Sequence, residues 1–444
     1  LKYIQSVFRA AALSTAPVLL TGCSFGSSID NLMAPPKLSA QQEQIYHALT
    51  EATGQNISLK YPKSGKYLSA FIVEDIDGDG VDEAVVFYER NGLGVDEITL
   101  RINVLDQDDG NWRSVCDTAA AGAEIEKVMI SKLGDNERVN LIIGSSLINR
   151  SEKNVTVYNY DQTEGNIAPT FFSESYSFMD VTDLDGDEKN EFLLLTGSAN
   201  GAPAGAEVYQ LDEEGKYHQC PCELSGAFTE FDGLSYGKLP NGKTGLYIDA
   251  VSGTGSIQTD IVYMEDNRLK KVFSSAEESF ATLRSSGCPS YDIDGDGELE
   301  IPVQVISPGY EDVSEGEQIK LTNWMRIGAN DTLEHKHTSY YSIGEGYVFV
   351  FPEKWQGKVT VKRDAINDEM VFCSYSDGKA GRELLRICCA EDMVSRDDRI
   401  STGYMLLKTK GESSYLAYIP QSGEKQDGLS ITSGDAAIGF SFIE

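Results

Sequence analysis

The chain has 444 residues, 41% apolar and 9% aromatic, with 42 Gly and only 13 Pro. This composition excludes a disordered or collagen-like polymer, and the length suits two or three domains or one repeat assembly. Acidic residues number 70 against 37 basic ones, a net charge of −33, and this excludes a nucleic-acid partner, because phosphate backbones are held mainly by Lys and Arg.

In chain order, Lys2 and Arg9 flank the basic start of an apolar run, Ala10 to Leu20. The run is shorter than the about 20 residues a bilayer core requires and suits the apolar region of an export signal. It ends in Leu20-Thr21-Gly22-Cys23, which resembles a bacterial lipobox. That resemblance implies cleavage before Cys23, a diacylglycerol on its thiol, and a protein anchored through lipid to the membrane on the extracytoplasmic side of the bacterial cell envelope. Residues 1–22 are then the signal peptide and residues 23–39 a tether, opening on the small, polar Ser24-Phe25-Gly26-Ser27-Ser28. Ala40 to Ala52, with Ile45, Ala48 and Leu49 on one face, predicts a helix.

Three segments then repeat: Asp75-Ile-Asp-Gly-Asp-Gly-Val-Asp-Glu83, Asp183-Leu-Asp-Gly-Asp-Glu-Lys-Asn-Glu191 and Asp292-Ile-Asp-Gly-Asp-Gly-Glu-Leu-Glu300. Each leads at once into an apolar run of strand length, so the unit is strand, acidic loop, strand. The starts lie 108 and 109 residues apart, and halving the interval finds two worn copies, around Ser131 and Gly237, that lack the carboxylates. One unit of about 54 residues accommodates four strands and their turns, the size of a propeller blade. Five blades are expected, with six or seven as alternatives.

Asp at loop positions 1, 3 and 5 gathers three carboxylates around one point, a hard-oxygen cage that suits Ca2+ and is electrostatically costly without a cation. The carbonyl of position 7 (Val81, Lys189, Glu298) and the acid at position 9 complete the sphere. Position 6, at the sharp turn, is Gly80, Glu188 or Gly297. An EF-hand needs Glu at position 12, and Val86, Leu194 and Val303 stand there, which excludes that motif. The pattern resembles the FG-GAP repeats of integrin α-subunit propellers and the related VCBS-type repeats of bacterial surface proteins, over roughly residues 65–341. The resemblance implies a β-propeller with Ca2+ in the loop between the first two strands of a blade, about three sites in all. Carried over position by position, the ligands are Asp75, Asp77, Asp79 and Glu83; Asp183, Asp185, Asp187 and Glu191; and Asp292, Asp294, Asp296 and Glu300.

After His337 the repeat stops. Residues 342–444, with 16 acids against 12 bases, are expected to form a small α/β (α+β) domain after a propeller spanning residues 40–341. Its strands are predicted at Gly346 to Pro352, Lys358 to Lys362, Met370 to Phe372, Glu383 to Cys389, Gly403 to Leu407 and Tyr415 to Ile419, with a short helix near Gly434 to Ala437. The opening, with Pro352 and Trp355 after an aromatic strand, is similar to that of PsbP-like α/β sandwich domains.

Nothing in the sequence reads as catalytic machinery. Gly233-Leu-Ser-Tyr-Gly237 has the spacing of a nucleophile elbow and Gly237 to Thr244 that of a phosphate loop, but each requires a following helix, and a strand is predicted there. His335-Lys-His337 reads as a surface turn, and Cys220-Pro-Cys222 and Cys388-Cys389 as buried thiols in strands. The expected protein is therefore a lipid-anchored, Ca2+-stabilised β-propeller that binds or adheres to an unidentified protein or glycan. The alternative is an envelope-glycan hydrolase, or another enzyme using paired carboxylates, with the propeller as scaffold.

Overall fold

Near-continuous apolar runs such as Ala84 to Tyr88 and Phe192 to Leu195 require burial of both faces of a strand, and a stack of sheets supplies it. The computed structural model describes residues 38–92, 100–134, 138–147, 152–161, 165–420 and 427–443; the expected signal peptide, Cys23 and nearly all of the tether lie outside them. Among the described residues the chain is mainly β and of propeller type, five antiparallel blades in sequence followed by a smaller unit.

Blade 1 contains β1 (Ile57–Leu59), β2 (Phe71–Glu74), β3 (Glu83–Arg90), β4 (Leu100–Asp108) and β5 (Asn111–Ala119), with β1 and β2 sharing one side of β3. Blade 2 is the meander β6 (Glu124–Lys132), β7 (Val139–Ser146), β8 (Lys153–Asp161) and β9 (Asn166–Tyr176). Blade 3 is β10 (Phe178–Thr182), β11 (Glu191–Thr196), β12 (Gly205–Leu211) and β13 (Tyr217–Glu223). Blade 4 is β14 (Phe231–Lys238), β15 (Thr244–Val251), β16 (Ser256–Glu265) and β17 (Arg268–Lys271), with the short β18 (Arg284–Ser285) beside β16. Blade 5 has its first strand reduced to a bridge, Tyr291 to Glu300, and continues through β19 (Ile301–Ile306), β20 (Lys320–Ile327), β21 (Leu333–Ser342) and β22 (Tyr347–Val350).

Alternation along each strand sorts the neighbours. On β3, Val85 and Phe87 join the core shared with blade 2, whereas Ala84, Val86 and Tyr88 face helix α1 (Ala40–Thr53). On β11, Phe192 and Leu194 pack toward blade 2, and Leu193 and Leu195 toward blade 4. Helix α1 starts at a capping box, in which Ser39 accepts the Gln42 N–H and Gln42 reaches back to the Ser39 N–H. Its buried Ile45 and Leu49 cover the outer face of blade 1, and its far side, with Gln41, Gln44, His47 and Glu51, is solvent-facing. A second helix, α2 (Ala276–Phe280), lies in blade 4, where the sequence reading had none.

The predicted strands of the last hundred residues are present as β22, β23 (Val359–Asp364), β24 (Glu369–Ser376), β25 (Lys379–Ala390), β26 (Met405–Lys410) and β27 (Ser413–Tyr418), joined by helices α3 (Met393–Ser401) and α4 (Ser433–Gly439). The boundary expected after residue 341 falls within a sheet: β22 pairs with β21, and β28 (Phe440–Phe442) returns from the chain end to pair with β22. The reason is apolar burial. Tyr347, Phe349, Trp355, Phe372 and Phe440 form one core with Leu321 of blade 5, and the Trp355 indole N–H donates to the Leu429 carbonyl at 2.7 Å. Among the described residues no helix is long and apolar enough to cross a membrane.

Candidate metal centres

All three acidic loops sit between the first two strand positions of their blades, and so do both worn copies, at the β6–β7 and β14–β15 turns. The three share one geometry. The position 1 carboxylate accepts the N–H groups of positions 4 and 6: Gly78 at 2.6 Å and Gly80 at 3.0 Å on Asp75, Gly186 at 2.7 Å and Glu188 at 2.9 Å on Asp183, Gly295 at 2.6 Å and Gly297 at 2.7 Å on Asp292. The position 5 carboxylate accepts the N–H of position 7: Val81 on Asp79 at 2.8 Å, Lys189 on Asp187 at 2.9 Å, Glu298 on Asp296 at 2.9 Å. Position 6 is left-handed in each, φ being +88° at Gly80, +71° at Glu188 and +89° at Gly297. Glycine takes that conformation freely, whereas Glu188 is strained in it.

The acid at position 9 opens the following strand, and its side chain turns back under the loop. One oxygen accepts the N–H of position 2: Ile76 on Glu83 at 2.9 Å, Leu184 on Glu191 at 2.8 Å, Ile293 on Glu300 at 3.0 Å. All three glutamates are buried. Ligand-type oxygens converge within 4.8 Å in Asp75, Asp77 and Glu83, in Asp183, Asp185 and Glu191, and in Asp292, Asp294 and Glu300; Asp296, Glu298 and Glu300 form a further such group. These clusters can hold metal ions. The first loop fits one best: Glu83 Oε1 and Asp77 Oδ2 are buried without a hydrogen-bond partner, although Glu83 is fully enclosed. A carboxylate oxygen so placed needs a cation or a proton. Burial pushes Glu83 up to about 7 against the pull of the Ile76 N–H, with Asp77, Asp106 and Asp79 adding to the rise. Burial likewise takes Glu191 to about 7, with Asp185, Asp187 and Asp183 contributing.

The third loop differs. Lys336 is the extra residue of a bulge on β21, since Met325 pairs with His335 and Trp324 with His337. A bulge re-aims a side chain, and here the Lys336 ammonium enters the acidic cage, 2.6 Å from Asp296 Oδ2, 2.7 Å from Glu300 Oε1 and 3.1 Å from Asp294 Oδ2. His337 Nε2 lies 2.8 Å from Asp294 Oδ2. Burial raises Asp294, but the His337 and Lys336 contacts outweigh it and hold the carboxyl down to about 2. His335 turns elsewhere, to Thr338 at 2.9 Å and Gln356 at 2.8 Å, so the two histidines do not face one point. Lys336 was missed in the sequence because it lies 36 residues beyond Glu300 and only the bulge aims it.

The remaining motifs resolve as structural. Gly233 to Gly237 runs along β14, with Ser235 donating to the Ser290 carbonyl, and the phosphate-loop spacing is a hairpin turn in which Gly242 N–H bonds the Leu239 carbonyl. The described cysteines are free, Cys220 and Cys388 buried in strands.

A cleft of about 760 Å3 opens beside the third loop, between blade 5 and the C-terminal unit, and Asp294, His337, Phe351, Glu353, Gln356 and Asp435 are among its walls. Asp435 is held below the usual carboxylate range, first by the Thr432 N–H.

No family model and no curated protein matches this sequence. Solved structures similar to it include a putative 6-phosphogluconolactonase from Bacteroides fragilis (10% identity, 74% of this chain and 92% of that one, TM-score 0.28) and Sqt1 from Saccharomyces cerevisiae (9%, 79% and 98%, TM-score 0.32). An exo-beta-1,3-galactanase from Phanerochaete chrysosporium is similar at 11% identity, over 76% and 80% of the two chains, with a TM-score of 0.27.

Proposed function

We propose that this chain is a Ca2+-stabilised, propeller-type binding module of the bacterial cell envelope, tethered by a lipid on Cys23. The observation that supports the calcium reading is the fully buried Glu83 carboxylate, which clusters with Asp75 and Asp77 and has one oxygen without a hydrogen-bond partner. Asp75, Asp77, Asp79, Glu83 and the Val81 carbonyl hold the first ion, and Asp183, Asp185, Asp187, Glu191 and the Lys189 carbonyl the second. The bound charge cancels the mutual repulsion of the acids and fixes the turn between a blade's first two strands. An ion that binds only the folded chain stabilises it by mass action, about 2.7 kcal/mol at a hundredfold excess over Kd for one site.

Binding is favoured over hydrolysis because Asp294 and Asp435 in the cleft wall are held below the usual carboxylate range and stay ionised, whereas a general acid needs a raised pKa. A protein or glycan ligand is assigned to the cleft, whose walls combine aromatic and polar groups. Calorimetry tests the calcium reading: Tm rises on adding Ca2+ and falls back with EGTA, and an unchanged Tm overturns it. Anchoring is read separately, since Cys23→Ala shifts the protein from the detergent phase to the aqueous phase or leaves it uncleaved; unchanged partitioning refutes the lipid.

A further inference from the structure

The three loops are congruent in backbone and differ in what faces them. In each blade the residue directly after the position 9 acid is paired across the sheet: Ala84 with Leu105, Phe192 with Tyr209, Ile301 with Met325. The residue after each partner is Asp106, Gln210 and Arg326. Equivalent positions thus present a negative, a neutral and a positive group. Two of them touch their loops: Gln210 Nε2 donates to Asp185 Oδ2 at 2.9 Å, and Arg326 Nη1 lies 3.6 Å from Glu298 Oε2. Lys336 adds a second positive charge to the third loop, its ammonium largely enclosed and bonded to Asp294, Asp296 and Glu300.

The counterpart of the unpartnered Glu83 Oε1 is Glu300 Oε1, and Lys336 bonds it. The same orphaned oxygen is thus left open in one loop and satisfied by the chain's own cation in another. An ammonium and a divalent ion cannot share a cage whose oxygens lie within 4.8 Å of one another.

We propose that Lys336 is a built-in cation that replaces the metal of the third loop. The chain then binds two divalent ions, the first loop more tightly than the second, and the wall of the cleft formed by Asp294, Lys336 and His337 is set without metal. This rests on the calcium reading of the first two loops. The resident ammonium also ties β21 to the loop that precedes β19, and so does for blade 5 what an ion does for blades 1 and 3.

Calcium stoichiometry of the full chain, by titration calorimetry and native mass spectrometry, tests it. Two ions are expected for the wild type, three for Lys336→Met, and two for Lys336→Arg, which keeps the charge. Should Lys336→Met not fold, sensitised Tb3+ luminescence of the wild type decides: Asp75→Asn and Asp183→Asn each remove a bound ion, and Asp292→Asn removes none. Three ions in the wild type, loss of an ion in Asp292→Asn, or no gain in a folded Lys336→Met overturns the built-in cation while leaving the calcium reading standing. Absence of ions from the wild type and from Lys336→Met overturns both.

Discussion

Glu188 shows how much of a loop is set by one residue. It occupies the left-handed position that Gly80 and Gly297 fill in the sister loops, at φ +71°, where a Cβ costs about 1 kcal/mol. Glu188→Gly is therefore expected to raise the stability of the calcium-loaded chain by about that amount, read as an increase in Tm. Glu83 and Glu191 set a pH dependence. Their folded values of about 7 lie above the ordinary 4.5, so between about pH 4.5 and 7 the folded metal-free chain holds protons that the unfolded chain has released. Stability then falls as pH rises through that window. Denaturant melts in EGTA at pH 5 and pH 7 should show the lower midpoint at pH 7, and Ca2+ should narrow the difference, because a bound cation compensates the ionised glutamates. The acids of these loops were legible in the sequence from spacing alone. Their inequality was not, because Asp106, Gln210 and Arg326 belong to the next strand and meet the loops only through the pairing register.

At the scale of the element, the strands were readable wherever both faces are buried. Runs such as Leu246 to Ala250 have no amphipathic period and still form strands, because β15 lies between blades 3 and 5 and buries Leu246 and Ile248 toward one and Tyr247 toward the other. Helix α1 was legible from its single apolar face, and its cap gives a test: Ser39→Ala removes the bond from the Gln42 N–H and should cost about 1 kcal/mol, seen as a lower Tm. The worn loops illustrate the converse. Beside the β6–β7 turn, Gly134 N–H donates to the Asn190 carbonyl at 2.8 Å and ties blade 2 directly to blade 3. Gly134 has φ +55°, and a Cβ there would meet the Leu211 carbonyl oxygen at 1.9 Å. Gly134→Ala should therefore destabilise the contact between blades 2 and 3 by about 2 kcal/mol or more, measurable in urea melts.

For the whole molecule, the order of the stack follows the order of the sequence, since each blade shares its core with the next: blade 1 with 2, 2 with 3, 3 with 4, 4 with 5, and 5 with the C-terminal sheet. The largest of these cores crosses the expected boundary at residue 341. A chain ending at Tyr341 loses β22 and β28 and exposes Leu321 and Tyr340, so it should melt well below the full chain and be cut by protease within blade 5, while its first two loops still take up calcium. Equal Tm for the fragment and the full chain would show that the two parts are independent. The sequence by itself determined the repeat, the strand-loop-strand unit, the place of the acidic loops and the strands of the last hundred residues, because periodicity, turn residues and apolar runs are local properties of the chain. The tertiary structure alone decided that helix α1 covers the first blade, that the chain end returns to the fifth, and that Lys336 enters the third cage. These are meetings of residues far apart in sequence, fixed by packing and register, and no local pattern encodes them.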